Sequence, residues 1–240
     1  HQMCSTAAVS AIMALGLSAL ANPLSGQDDE RIPTVPAGTP AVLFPVQAAR
    51  PTAGGAWPGG ALSEKDVLET LDAEFKFAFG EEEDAVTWVL PDAVVRRLRS
   101  NPMIDVDPYR VAYHGLLRKP KKEEQIYEPL HSELRSLSAL FDTRYVILPI
   151  ALFVELDPPQ SEDGESESAA EGAPATLSED PNAPSVTPAR YRAHLLLAMI
   201  DIRMSSIVWW GEIVSDPGAE DSPALLASLA ENVAAQMAPS

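Results

Sequence analysis

Apolar positions along the chain fall into two rhythms. Val67, Leu68, Leu71, Phe75 and Phe79 recur at helical spacing. They predict a helix that starts at Ser63, with Asp66 three residues on as its capping-box partner, and stops at Gly80. Ile126, Leu130, Leu134, Leu137 and Phe141 make a second amphipathic stripe. Leu225, Leu226, Leu229, Val233 and Met237 make a third, capped by Asp221-Ser222-Pro223. A shorter helix carrying Val94, Val95 and Leu98 follows Pro91-Asp92 and closes at Asn101-Pro102. Between these lie β-branched and aromatic runs that read as strands: AVLFPV at 41–46, AVTWVL at 85–90 and RYVILPIALFVEL at 144–156. Pro149 inside the third run implies a bulge or an edge position. Tyr191 to Met204 and Ile207 to Val214 pair as a hairpin with Ser205-Ser206 as its connection. Residues 103–125 follow neither rhythm, although Pro108 is placed to start a short helix around Tyr109-Arg110-Val111. The resulting order is β-α-β-α-α-β-β-β-α. It is an α/β (α+β) arrangement in which a mixed β-sheet is flanked by helices and ends in an antiparallel hairpin and a helix.

Three stretches stand outside this pattern. Ala7 to Ala21 is apolar and uncharged and ends in Ala19-Leu20-Ala21, a small-x-small site. It reads as a signal peptide over 1–21 that is cleaved to leave Asn22 first; a retained anchor helix is the alternative. Cys4 precedes the apolar run, where a lipidated cysteine would follow it, so it belongs to the leader and the exported chain carries no cysteine. Residues 22–40 hold Pro23, Pro33, Pro36 and Pro40 without apolar period and read as a flexible linker. Residues 157–188 hold eight acidic residues, six prolines and no Lys or Arg, and read as a disordered acidic insert. A single domain over 41–240, interrupted by that insert, remains. With 17 basic and 35 acidic residues the net charge is −18, which argues against nucleic-acid binding.

The strand and helix runs resemble a group of bacterial envelope α/β domains that includes the TolB amino-terminal domain, CsgG and LpoB. The likeness rests on the opening strand AVLFPV, on ALFDTRYVILP where a helix runs into a strand, and on the hairpin LLLAMIDIRMSSIVWWGEI. Asp201 and Trp209 or Trp210 fall at the hairpin's Asp and Trp places. The resemblance implies a domain that binds another protein and does not catalyse a reaction.

The search for chemistry returns no His-Glu-x-x-His, no Gly-x-Ser-x-Gly and no phosphate loop. His114, His131 and His194 are isolated in sequence, with His131 read as solvated and His194 as a packed neutral imidazole. Asp105-x-Asp107 and Glu81 to Asp84 lack the ligand spacing of a calcium loop. No cofactor and no catalytic residue is assigned. With a two-residue turn, Ile202 faces Trp209 and Asp201 faces Trp210, so the two indoles point to opposite faces. Trp209 joins Ile200, Ile202, Ile207 and Ile213 in the core. Trp210 joins Asp201, Arg203 and Glu212, and these four form the candidate partner-binding surface. The expected function is that of an exported, periplasmic or secreted, non-enzymatic domain that binds a protein partner in the bacterial cell envelope. The alternatives are an exported hydrolase with an acidic site, or a structural subunit of a homo-oligomeric envelope assembly.

Overall fold

The computed structural model describes residues 32–36, 38–80, 86–121, 124–157 and 189–237. The leader and the stretch 158–188 lie outside the described residues. Five strands make one mixed sheet: β1 (Ala41–Leu43), β2 (Trp88–Val89), β3 (Tyr145–Leu156), β4 (Tyr191–Asp201) and β5 (Ser206–Val214), in the order β2-β1-β3-β4-β5. β1 runs parallel to β2 and β3, and the β3–β4 and β4–β5 pairs are antiparallel. With α1 (Glu64–Gly80), α2 (Pro91–Arg99), α3 (Leu130–Phe141) and α4 (Ala224–Met237), the strand and helix order is the one read from the sequence.

The long apolar runs of β3 and β4 follow from burial on both faces. On the first face α1 and α4 set Leu71, Phe75, Leu226 and Val233 against Ile147, Leu195, Leu197 and Met199. On the second, α2 and α3 set Val94, Leu134 and Leu137 against Val42, Phe44, Val146, Leu148 and Ile200. Pro149 sits in the central strand at a bulge between Pro149 and Ala151, which is how a residue without an N–H is tolerated there. At the start of α1 the Ser63 hydroxyl accepts the Asp66 amide at 3.3 Å and donates to its carboxylate at 2.9 Å.

Several expectations shift. Ile32 and Val35 are buried in the first-face core, so residues 32–36 of the expected linker 22–40 belong to the folded domain. Asp157, placed in the acidic insert, instead closes the β3–β4 ladder. Its amide donates to the Arg190 carbonyl at 2.7 Å, and its carboxylate takes Arg192 at 2.9 Å. Ile126 lies ahead of α3, whose N-cap is Pro129, although it packs in the same core. No helix forms around Tyr109-Arg110-Val111. The Asp107 side chain captures the Tyr109 amide at 3.0 Å and its carbonyl takes Arg110 at 3.0 Å, a local turn that competes with helix. A 3₁₀ segment follows instead at Tyr113–Leu117.

Most of this irregular stretch, Asn101 to Lys121, covers the second face as a strap, while Tyr109 turns onto the first-face core beside α1. It has little regular backbone pairing, so side chains anchor it. Chief among them is buried Gln47. Its amide nitrogen donates to the Pro45 and Pro108 carbonyls at 2.7 and 2.9 Å, and its oxygen accepts the Val111 amide at 3.0 Å. Glu133 of α3 accepts the Ala112 amide at 2.7 Å. Gln47→Leu keeps the bulk and removes every polar partner of the strap at that point. A loss of about 1–3 kcal/mol is expected, because the Val111 N–H is left buried and unpaired. The urea midpoint measures it; an unchanged midpoint would show that the strap is held elsewhere.

Candidate functional site

The hairpin is not closed by Ser205-Ser206. Its turn is Ile202–Ser205, with Ser205 at φ +53°, and Asp201 faces Ser206. The Asp201 carboxylate accepts the Met204 amide at 3.1 Å, which fixes the longer turn. Ile200 then faces Ile207. A bulge follows, after which Met199 faces Trp209 and Ala198 faces Trp210. The indoles do lie on opposite faces, but the bulge moves their neighbours. Ile200, Ile202 and Ile207 pack on the side of Trp210, and only Ile213 of the four isoleucines stays with Trp209. The Trp209 ring lies across Gly211, where an added Cβ would meet it at 2.5 Å. The glycine is therefore what lets that ring lie flat on its own strand.

The four residues proposed as one surface are not brought together. Asp201 is buried and grips Arg144 through Oδ2, at 2.8 Å to Nε and 2.5 Å to the terminal nitrogen. Burial pushes this carboxyl up, yet Arg144 and the Met204 amide outweigh it and hold it below its ordinary value. Arg203 stands exposed in the turn. Trp210 is half-buried beneath the strap and donates its indole N–H to the Leu116 carbonyl at 2.9 Å. That face is covered, and Trp210 is an anchor of the covering segment. Glu212 lies in partly open ground farther along β5.

Around Glu212 the two faces of the sheet differ. Toward the far ends of β3, β4 and β5 the first face stays sealed, with Leu152, Val154, Ala193, Leu195 and Ile213 all buried. On the second face the helical layer stops short, and Phe153, His194, Leu196, Glu212 and Val214 are only half-buried. The His194 ring stacks on Phe153, 5.1 Å between centroids and 10° between planes, and its Nδ1 meets Glu212 at 2.6 Å. An aromatic, an aliphatic and a hydrogen-bonded polar pair thus share one shallow surface. Sequence reading missed Phe153, His194 and Leu196. Strand alternation places them together, but nothing in the sequence marks where the covering helices end. His131, read as solvated, contacts Ser205 through Nε2 at 2.9 Å and Glu128 through Nδ1 at 3.3 Å, so it braces the hairpin turn.

A second feature lies between α1 and the strap, an open cleft of about 590 Å³. Gln47, Glu64, Leu68, Glu69, Tyr109 and Arg110 are among its lining. Its carboxylates are engaged, Glu64 by the Ala49 amide at 3.2 Å and Glu69 by Lys65 at 3.4 Å. One turn beyond Glu69, Asp72 accepts the Tyr109 hydroxyl at 3.1 Å through Oδ2, while its buried Oδ1 has no hydrogen-bond partner. Burial pushes the Asp72 carboxyl up from 3.8 to about 7, against the pull of the Tyr109 hydroxyl and the Val46 amide. Burial, with the charge of Asp72, pushes the Tyr109 phenol up to about 12. Among the described residues no group of three or more His, Cys, Asp or Glu is placed to hold a metal ion. No described helix is long and apolar enough to cross a membrane.

No protein-family model matches the chain. No curated protein matches it by sequence. Among solved structures it is similar to the LpoB C-terminal domain from Salmonella enterica, at 12% identity and a TM-score of 0.34, over 75% of this chain and 84% of that one. It is also similar to the hypothetical protein CT253 from Chlamydia trachomatis, at 10% identity and a TM-score of 0.32, over 75% and 73%. The first of these lies in the group that the strand and hairpin runs resemble.

Two outcomes are expected of this geometry. Trp209→Ala and Trp210→Ala should both lower the urea midpoint, each through a loss of about 3–5 kcal/mol of unfolding free energy, because each indole packs on a covered face. A negligible loss for Trp210→Ala would mean that the strap does not depend on it. The second outcome concerns pH. Unfolded Asp72 ionises near its ordinary 3.8 and folded Asp72 only near 7. Between those values unfolding releases a proton, so stability falls as pH rises, by up to about 1.4 kcal/mol per unit, and levels off above. Thermal melts of wild type and Asp72→Asn across pH 4 to 8 should differ by this slope.

Proposed function

We propose that this chain is an exported, non-catalytic α/β domain of the bacterial cell envelope that docks a protein partner. Docking uses the open far half of its second sheet face. The observation that carries this reading is the asymmetry of the sheet. Its far half is sealed on one side, while Phe153, Leu196 and Val214 stay half-buried around the His194–Glu212 pair on the other. An apolar patch with a satisfied polar centre suits recognition of another folded surface. The carboxylates that line the cleft are bonded to an amide and a lysine, so the reading gives them a structural part. The leader-like segment at 1–21 supports export to the periplasm or beyond. The strand and hairpin runs shared with envelope domains support the compartment. No cofactor enters this reading.

A photo-crosslinking amino acid at position 153 tests it in cells producing the full chain. The expected result is a discrete adduct to a second protein species, lost on Leu196→Asp in a chain that still melts cooperatively, with no such adduct from a probe on the solvent side of α1 at Ala73. An adduct only to further copies of the chain would replace this reading with the homo-oligomer. Irradiation that yields no adduct at 153 would overturn it.

A further inference from the structure

We propose that the contact between Asp72 and Tyr109 is a pH-sensitive latch, which holds the middle of the strap on α1 under mildly acidic conditions and releases it as pH rises through neutrality. The inference concerns the strap alone and stands whether or not the far face docks a partner.

The geometry carries it in three steps. First, Asp72 belongs to the rigid side of the contact. Its neighbours in α1, Val67, Leu71 and Phe75, are fully buried in the first-face core, so α1 itself is not free to move. What lies over Asp72 is Tyr109, between the Pro108 carbonyl and the Val111 amide that Gln47 holds; the Tyr109 and Arg110 amides themselves bond only to Asp107 in a local turn. Second, Asp72 is half-satisfied. Oδ2 has the Tyr109 hydroxyl, the Val46 amide lies near enough to favour the charged form, and Oδ1 completes no hydrogen bond of its own. A protonated carboxyl tolerates that, but an ionised one leaves charge buried and only partly compensated, which is costly unless water reaches it. Third, water is close. The cleft that Tyr109 and Arg110 line is already open beside the contact, so a small outward movement of Tyr109 hydrates the carboxylate.

The charged surroundings do not supply a compensating cation. From α1, Glu69 adds like charge, and from α2 so does Asp92, which is itself occupied by Arg96 at 2.8 Å and Lys76 at 3.2 Å. From the strap, Tyr109 keeps its proton through this range. Arg99 of α2 acts on Tyr109, and Arg110 lies exposed on the cleft. Gln47, on the stretch that follows β1, faces the strap with an amide and no charge. The Tyr109 hydroxyl and the Val46 amide both favour the ionised carboxylate, but burial outweighs them, so folded Asp72 keeps its proton to about pH 7. The released state, in which water covers the carboxylate, ionises at an ordinary value. Linkage then requires that raising pH shift the balance toward release.

Hydrogen exchange followed by mass spectrometry on the full chain at pH 6 and pH 8, corrected for intrinsic rates, reads the latch. Protection of the Tyr109 and Arg110 amides should fall roughly tenfold between the two conditions, as a closed-state value near 7 against an ordinary open-state one requires, while the Val111 and Ala112 amides, held by Gln47 and Glu133, change less. Protection in β3 and β4 should stay constant. Asp72→Asn, which mimics the protonated form, should hold the segment at its pH 6 level at both values. Tyr109→Phe, which removes the hydroxyl and keeps the ring, should lower protection at pH 6. Equal protection at the two pH values in the wild type would overturn the proposal. So would the same pH response in Asp72→Asn, or a fall spread evenly over the whole sheet.

Discussion

The structure depends on β3 being apolar on both sides. A strand of that kind cannot lie at a surface, and it must satisfy its backbone groups on both edges. It does so by pairing with β1 on one edge and with β4 on the other. The two layers are then obligatory: α1 and α4 on one face, α2, α3 and the strap on the other. β1 ends at Leu43, yet the chain keeps to the same neighbour, with the Gln47 amide on the Pro149 carbonyl at 3.1 Å and the Arg50 amide on Leu152 at 2.9 Å. That continuation delivers Gln47 to the point where the strap must be held. The position of the strap is thus a consequence of how the central strand is paired.

The two sides of the sheet are covered by different means. The first face is sealed by two long helices that pack through apolar stripes, a solution that is strong and uniform. The second has α2, α3 and a segment held by individual polar contacts from Gln47, Asp72, Glu133 and Trp210. Such contacts are each of modest net worth but costly to leave half-made. The second face therefore holds the unsealed ground, and the segment held by polar contacts reaches from it round to α1, where Tyr109 packs on the first-face core.

Much of the fold was legible because it is written in periodicity. The stripes of α1, α3 and α4 and the β-branched runs gave the element order and the fold class directly, and the Ser63–Asp66 cap was readable from spacing. Register was less accessible. The turn at Ile202–Ser205 depends on a left-handed Ser205 and on an Asp201 side chain bonded to Met204, and no alternation rule counts those. The bulge that follows changed the company of Trp209 and Trp210 while leaving them on opposite faces. The four residues of the candidate surface are placed apart for that reason and for a second one. Residues 103–125 carry no pattern, so a covering that rests on Gln47, distant in sequence, was invisible. Phe153 and His194 were likewise separated by the acidic stretch, and only the β3–β4 pairing unites them.

The far edge of β5 shows a further consequence. An outermost strand exposes a row of backbone donors and acceptors, a standing invitation to another chain. Here the segment before α3 crosses the hairpin end. The Ile126 amide lies on the Ser205 carbonyl at 2.9 Å and the Ile207 amide on the Glu124 carbonyl at 3.0 Å. The other end is closed by Asn232 of α4, which donates to the Val214 carbonyl at 2.9 Å. With a bulge between these two stops, little straight edge is left for a stray strand to add to. The same kink that misleads a reading of the hairpin thereby keeps the sheet from growing into an aggregate.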